Sequence, residues 1–178
     1  MIKLFNYEGY EVNVEPEALL LSPFKTIWDR DDSKGKTLAK QELAYLYFMS
    51  DPRSDYQYLV DEEVRSTEII KGLGMPDGWR PDDVVKRALT FYASFKPASA
   101  GLLEDTRYFI NAFRQQLRKR SNELDDMEMK ELKEAMALMK QIPGMVTDLN
   151  EAEKTLSKDL IAEEKARGSQ QKSILEDE

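Results

Sequence analysis

The residues in this chain that could do chemistry are carboxylates, hydroxyls, phenols and amines, because the sequence contains no histidine and no cysteine. That removes disulfides, thiolate and imidazole metal sites, cysteine nucleophiles, the Ser-His-Asp triad and the usual near-neutral general base. Asp29, Asp31, Ser33 and Gly35 resemble the start of a calcium loop. Such a loop needs oxygen ligands at positions 1, 3, 5 and 12 and glycine at position 6. Counted from Asp29, the glycine is one place late and Lys40 stands where the bidentate glutamate is required. An acidic helix end followed by a turn is the expected structure. Asp51, Asp55, Asp61, Glu62 and Glu63 could hold Mg²⁺ or act as a carboxylate pair. Their spacing is equally that of turn and cap residues, with Tyr56 and Tyr58 packing beside them. No phosphate-binding glycine motif and no nucleophile elbow is present. No catalytic residue, cofactor or metal is therefore expected.

Two further groups are suited to contact rather than catalysis. Arg114, Arg118, Lys119 and Arg120 form a dense basic cluster, with the first two on one helical face. It is a candidate phosphate contact; the plainer reading is a solvated helix end whose cations suit the carboxyl-terminal dipole. Met127, Met129, Met136, Met139 and Met145 could line an adaptable binding surface or fill a hairpin core. The two readings agree if the hairpin packs on a neighbouring subunit.

The elements that must position these groups are mostly helices. Ile2, Leu4, Val12 and Val14 alternate with polar neighbours around Glu8-Gly9, which predicts a hairpin or arm over residues 2–14. Ser22-Pro23 marks a helix start, with Ser22 as its cap. A second helix is expected over 36–50, apolar nearly all round from Leu43 to Met49 and hence central. Asp61 can cap a third helix, and Asp77-Gly78 marks a turn before the packing anchor Trp79. Pro81-Asp82-Asp83 opens a fourth. From Ser99 or Leu102 to Arg120 runs a stripe of Leu103, Thr106, Phe109, Ile110, Phe113 and Leu117. Leu43, Leu46, Tyr47, Phe48, Phe91 or Tyr92, Phe109 and Phe113 are expected in one core. The repeats Met129, Leu132, Met136, Met139 and Leu149, Ala152, Leu156, Leu160 predict an αα-hairpin turning at Ile142-Pro143-Gly144.

The fold class is thus mainly α: a helical bundle with a small N-terminal β arm, a long C-terminal αα-hairpin and a flexible tail. The expected divisions are an arm over 1–21, a helical core over 22–122, the hairpin over 123–166 and the tail over 167–178. Ile2 and Leu4 of the arm, Met129, Met136, Leu156 and Leu160 of the hairpin, and Ile174 and Leu175 of the tail are the candidate interface residues. The net charge is −8. That argues against non-specific binding to DNA or anionic membrane, though not against a local basic patch. No apolar run is long enough for a membrane span, and no signal peptide is expected.

One stretch carries a resemblance. Pro23-Phe24-Lys25-Thr26-Ile27-Trp28-Asp29-Arg30-Asp31 leads into Ser33-Lys34. It is followed by Glu42-Leu43-Ala44-Tyr45-Leu46-Tyr47-Phe48-Met49 and Asp51-Pro52-Arg53-Ser54-Asp55-Tyr56. Over about residues 22–95 the chain resembles a small virion protein of large tailed bacteriophages, especially the crAss-like phages of gut Bacteroides-type bacteria. The resemblance implies a head–tail connector component, synthesised in the host cytoplasm and housed in the virion. Its implied partners are itself in a dodecameric ring, the portal, and neighbouring connector or tail proteins. DNA would pass through the lumen without specific binding. It implies no active-site residue. The competing expectation is a cytosolic helical adaptor or regulatory protein that binds a partner through its C-terminal hairpin.

Overall fold

The computed structural model describes residues 4–9, 11–121 and 129–176, with side chains described for all of these except 120, 121, 131, 132, 164 and 166–176. The chain is mainly helical with one small antiparallel hairpin. It divides into two compact units, 1–96 and 97–178.

The first unit begins with strands β1 (Phe5–Glu8) and β2 (Glu11–Val14), paired in the register Phe5 to Val14 and Glu8 to Glu11. The turn between them passes through Gly9 at φ +61°, a left-handed conformation that favours glycine. Period-two alternation puts Phe5, Tyr7, Val12 and Val14 on one face, and that face meets the helices. Phe5 stacks edge-on against Phe24 and Tyr92 with ring centroids 5.5 and 5.0 Å away. The hairpin is therefore part of the core. Leu4, expected at an interface, is 1% exposed, and its carbonyl accepts the Glu15 N–H. Its side chain is already spent within the fold. Ile2 lies outside the described residues.

A 3₁₀ turn over Pro16–Leu20 leads into helix α1 (Ser22–Asp29). Pro23 sits in the first turn, as its missing N–H permits. Leu21 rather than Ser22 holds the cap position, so Ser22 is inside the helix and caps nothing. Helix α2 (Thr37–Ser50) is buried on every side from Leu43 to Ser50, the central helix its composition requires. Helix α3 (Glu62–Gly72) is capped by Asp61, whose carboxylate accepts the Glu63 and Val64 N–H groups. It ends in a Schellman turn, with Gly74 at φ +60° and the Met75 N–H bonded to the Ile70 carbonyl. Helix α4 (Asp83–Ala93) is capped the same way by Asp82, on the Val84 and Val85 N–H groups.

Long polar reaches lock these helices together. Glu42 is nearly fully buried in α2, where a lone carboxylate would be costly. Arg30 answers it in a two-point ion pair, with Nη2 to Oε1 at 2.6 Å and Nε to Oε2 at 3.2 Å. The Trp79 indole N–H donates to the same carboxylate at 3.2 Å, and Arg30 Nη1 reaches Asp82 at 2.6 Å. Partial burial alone lowers the Arg30 pKa, but the hydrogen bonds and charges of Glu42 and Asp82 outweigh it and hold the guanidinium protonated. Trp79 also meets Tyr45 edge-on at 5.2 Å, the anchoring role its place beside Asp77-Gly78 indicates. Arg65, likewise buried, donates to the carbonyl of Met49 at the end of α2 and to that of Leu59 in the connection to α3.

The second unit is built from α5 (Ala98–Ser121), α6 (Met129–Met139) and α7 (Ile142–Glu176). Its core is small: Ala100 and Leu103 of α5 against Ala152 and Leu156 of α7, with Leu149 and Leu160 packed at the edge. Arg107 pairs with Glu153 at 2.9 Å on the same seam.

Several expectations change here. The division falls after Lys96, not near residue 122, because the apolar face of α5 is matched by α7. The main partner of α7 is α5, so the expected α6–α7 hairpin is not the packing unit. The turn is Lys140-Gln141; Pro143 and Gly144 fall in the first turn of α7, where proline costs no hydrogen bond. The segment expected as a flexible tail is helical through Glu176. Ala166, Arg167, Gln170, Gln171 and Lys172 are good helix formers and carry a nucleated helix onward, against the cost of Gly168. Ile174 and Leu175 have helical backbones, and their side chains lie outside the description. Phe109 and Phe113 do not join the core that holds Leu43, Leu46, Tyr47, Phe48 and Tyr92.

Candidate protein interface

The acidic residues weighed for metal or acid–base chemistry are placed first. Asp31 lies between α1 and α2, and its oxygens accept the Ser33 N–H at 2.9 Å and the Ala39 N–H at 3.0 Å. It caps α2 from outside, where Lys36 itself is left-handed at φ 51° and caps nothing. The Ala39 and Ser33 hydrogen bonds hold its pKa down, from 3.8 to about 2. Because the folded value lies below the unfolded one, this contribution to stability is complete above the ordinary carboxylate range and is lost as pH falls through about 2. Asp31→Asn is expected to flatten the acid limb of the stability curve, read as the urea midpoint between pH 5 and pH 2. An unchanged limb would show that the carboxylate contributes nothing there.

Asp51 is buried and takes the Tyr92 hydroxyl at 2.5 Å and the Arg53 N–H at 2.9 Å. Burial, then the adjacent Asp51 charge, raise the pKa of both Tyr92 and Tyr47. Asp55 accepts the Tyr7 hydroxyl at 3.0 Å. Tyr56 packs against the central helix, edge-on to Phe48 at 5.3 Å. Among the described residues no group of three or more acidic side chains is placed to hold a metal ion. Asp31, Asp51, Asp55 and Asp61 accept backbone N–H or hydroxyl hydrogen bonds, while Glu62 and Glu63 are exposed in the first turn of α3.

Part of what the second unit leaves uncovered is apolar. The narrow stripe of α7 seals Ala100 and Leu103, and the rest of the α5 stripe is half-buried or exposed. Tyr108 is 67% and Phe109 60% exposed, and Leu102 is exposed beside the buried Leu103. Ile110, Phe113 and Leu117 are half-buried. Phe109, Ala112, Phe113, Gln115, Gln116 and Lys119 line an open groove of about 470 Å³. On α6, Met129, Met136 and Met139 are exposed while Ala135 is buried. On α7, Val146 and Ile161 are exposed. Exposed aromatic and aliphatic side chains lining a groove, as on α5, mark a candidate contact site.

The candidate residues therefore separate. Met129 and Met136 lie on open surface. Leu156 is buried and Leu160 half-buried against α5, because they form the seam that holds the unit together. Arg114, Arg118 and Lys119 are exposed along α5, and of the three Lys119 lines the groove. The Arg120 side chain lies outside the described residues. Leu102 and Tyr108 belong to the open surface and were not among the residues expected there, whereas the exposed Met139 is one of the methionines weighed for a binding surface. The signal for the first two was available: apolar residues at 102, 103, 108, 109, 110 and 113 are too many for one seam.

No protein-family model matches the chain, and no curated protein or solved structure matches it. No helix among the described residues is long and apolar enough to cross a membrane.

Proposed function

We propose that the protein is a structural virion component of a tailed phage, forming a head–tail connector ring next to the portal and helping to build the DNA conduit. The observation that carries this reading is the second unit: a minimal core with Tyr108 and Phe109 of α5 and Met129 and Met136 of α6 left exposed. Such a face is stable in water when another chain covers it. The resemblance over residues 22–95 supplies the setting. The net charge of −8 suits a lumen along which DNA slides without sticking. A cytosolic adaptor is the second reading, favoured by the same methionines, whose flexible side chains adapt to varied partners.

The two readings part on self-association. A ring protein is expected to form a discrete oligomer in sedimentation velocity at micromolar concentration, and to occur at ring-like copy number in purified virions by mass spectrometry. A chain that stays monomeric at every concentration, and is missing from virions, is the adaptor.

A further inference from the structure

We propose that two copies of the chain pair antiparallel along the outer face of α5. Leu102, Asp105, Phe109, Ala112, Gln116 and Lys119 repeat at three, four, three, four and three residues, the spacing of a seam between two helices. On a helix of about 3.6 residues per turn they fall within one arc of roughly 100°. Ala100 and Leu103, which pack on α7, lie on the opposite side of the helix. All six stripe residues are exposed, and four of them line the groove. Tyr108, 67% exposed, borders the stripe on one edge, and the half-buried Phe113 borders it on the other. One side of α5 closes its own unit, and the other carries the spacing of a second, exposed seam.

Charge decides the occupant. The stripe carries an anion, Asp105, near one end and a cation, Lys119, at the other, about 21 Å apart along the axis. Among the described residues neither takes part in an ion pair. A second α5 laid alongside in the same direction sets Asp105 on Asp105 and Lys119 on Lys119. Laid antiparallel about a two-fold axis between Phe109 and Ala112, it sets Phe109 of each copy on Ala112 of the other, a large side chain against a small one. The same register brings Lys119 of each copy over Leu102 of the other and within one turn of its Asp105. The lysine methylenes then cover the leucine while the ammonium reaches the carboxylate. The stripe is complementary to itself in one direction only, and a second copy matches it at both ends. Such a contact is isologous and closes as a pair. A closed ring turns every subunit the same way, so this pair is a state of the unassembled chain and stands independently of the ring reading.

Exchanging the two charges in the full-length chain tests this. The wild type is expected to show a monomer–dimer equilibrium in sedimentation velocity at micromolar concentration. Asp105→Lys or Lys119→Asp puts like charges at both ends of the pair and is expected to weaken dimerisation at least ~tenfold. Combining the two substitutions in one chain is expected to restore it, because an antiparallel pair then regains opposite charges at each end. Mixing the two single variants is expected to restore it as well. Phe109→Ala is expected to weaken pairing while leaving the far-ultraviolet circular dichroism spectrum unchanged, since the ring is exposed in the single chain. Dimerisation that survives either single reversal overturns the antiparallel pair. So does a loss that neither the combined exchange nor mixing recovers. A wild-type chain that stays monomeric, or that assembles only into larger rings, also overturns the pair; the ring reading is judged separately, by copy number in virions.

Discussion

Phe24→Ala is expected to destabilise the first unit by about 3–5 kcal/mol, while Phe109→Ala changes stability by no more than about 0.5 kcal/mol. The two residues are the same in chemistry and opposite in surroundings. Phe24 is fully buried and meets Phe5, Phe91 and Tyr92 edge-on, with centroids 5.5, 5.6 and 6.1 Å away. Removing its ring opens a cavity between the hairpin, α1 and α4, three elements that cannot all close on it. Phe109 projects from α5 with most of its surface in water. Urea unfolding followed by far-ultraviolet circular dichroism reads both changes. Equal losses for the two variants would mean that Phe109 is covered within a single chain.

Glu42→Ala is expected to cost about 3 kcal/mol, at the low end of what breaking a buried ion pair costs, because Arg30 retains some contact with water. The variant strands the guanidinium and the Trp79 N–H, and only Asp82 remains to answer Arg30. Adding Arg30→Met to Glu42→Leu is expected to recover much of the loss, since an apolar pair of similar volume leaves no buried charge. A double-mutant cycle on urea midpoints measures this. Additive losses would show that Arg30 and Glu42 stabilise the fold through separate neighbours.

These two sites also mark where reading the sequence succeeds and fails. Helix α2 is legible because an unbroken apolar stretch from Leu43 to Met49 leaves no face for solvent. Asp61 is legible because a cap works through its own next few residues. The hairpin is legible at Glu8-Gly9, though its core-facing residues Phe5 and Tyr7 were passed over for Leu4. Glu42 in the same helix was not legible: its partners Arg30 and Trp79 are twelve and thirty-seven residues away, and no local rule pairs them. The outward turn of Phe109 failed for a related reason. Periodicity shows that a helix has an apolar face, but not whether its neighbour is broad enough to cover it. Pro143-Gly144 misleads because proline is as acceptable in the first turn of a helix as in the loop before it. Of the candidate interface, the exposed Met129 and Met136 could be named from the sequence. Leu4 and Leu156 could not be told from core residues until their partners Phe5, Leu103 and Ala152 were in place.

The stacking of Phe5 on Tyr92 has a consequence for how the chain is made. A two-stranded hairpin is at best marginally stable alone. The first strand leaves the ribosome early, yet the ring that seals it is in α4, near the end of the first unit. At ~5–20 residues per second, Phe5 waits roughly 4–17 s for Tyr92 to be synthesised. Through that interval the nascent chain carries exposed aromatic side chains and two unpaired strand edges, which is the state that translation-associated chaperones bind. The first unit closes only when the fourth helix emerges, and the second unit, with its own uncovered face, follows behind it.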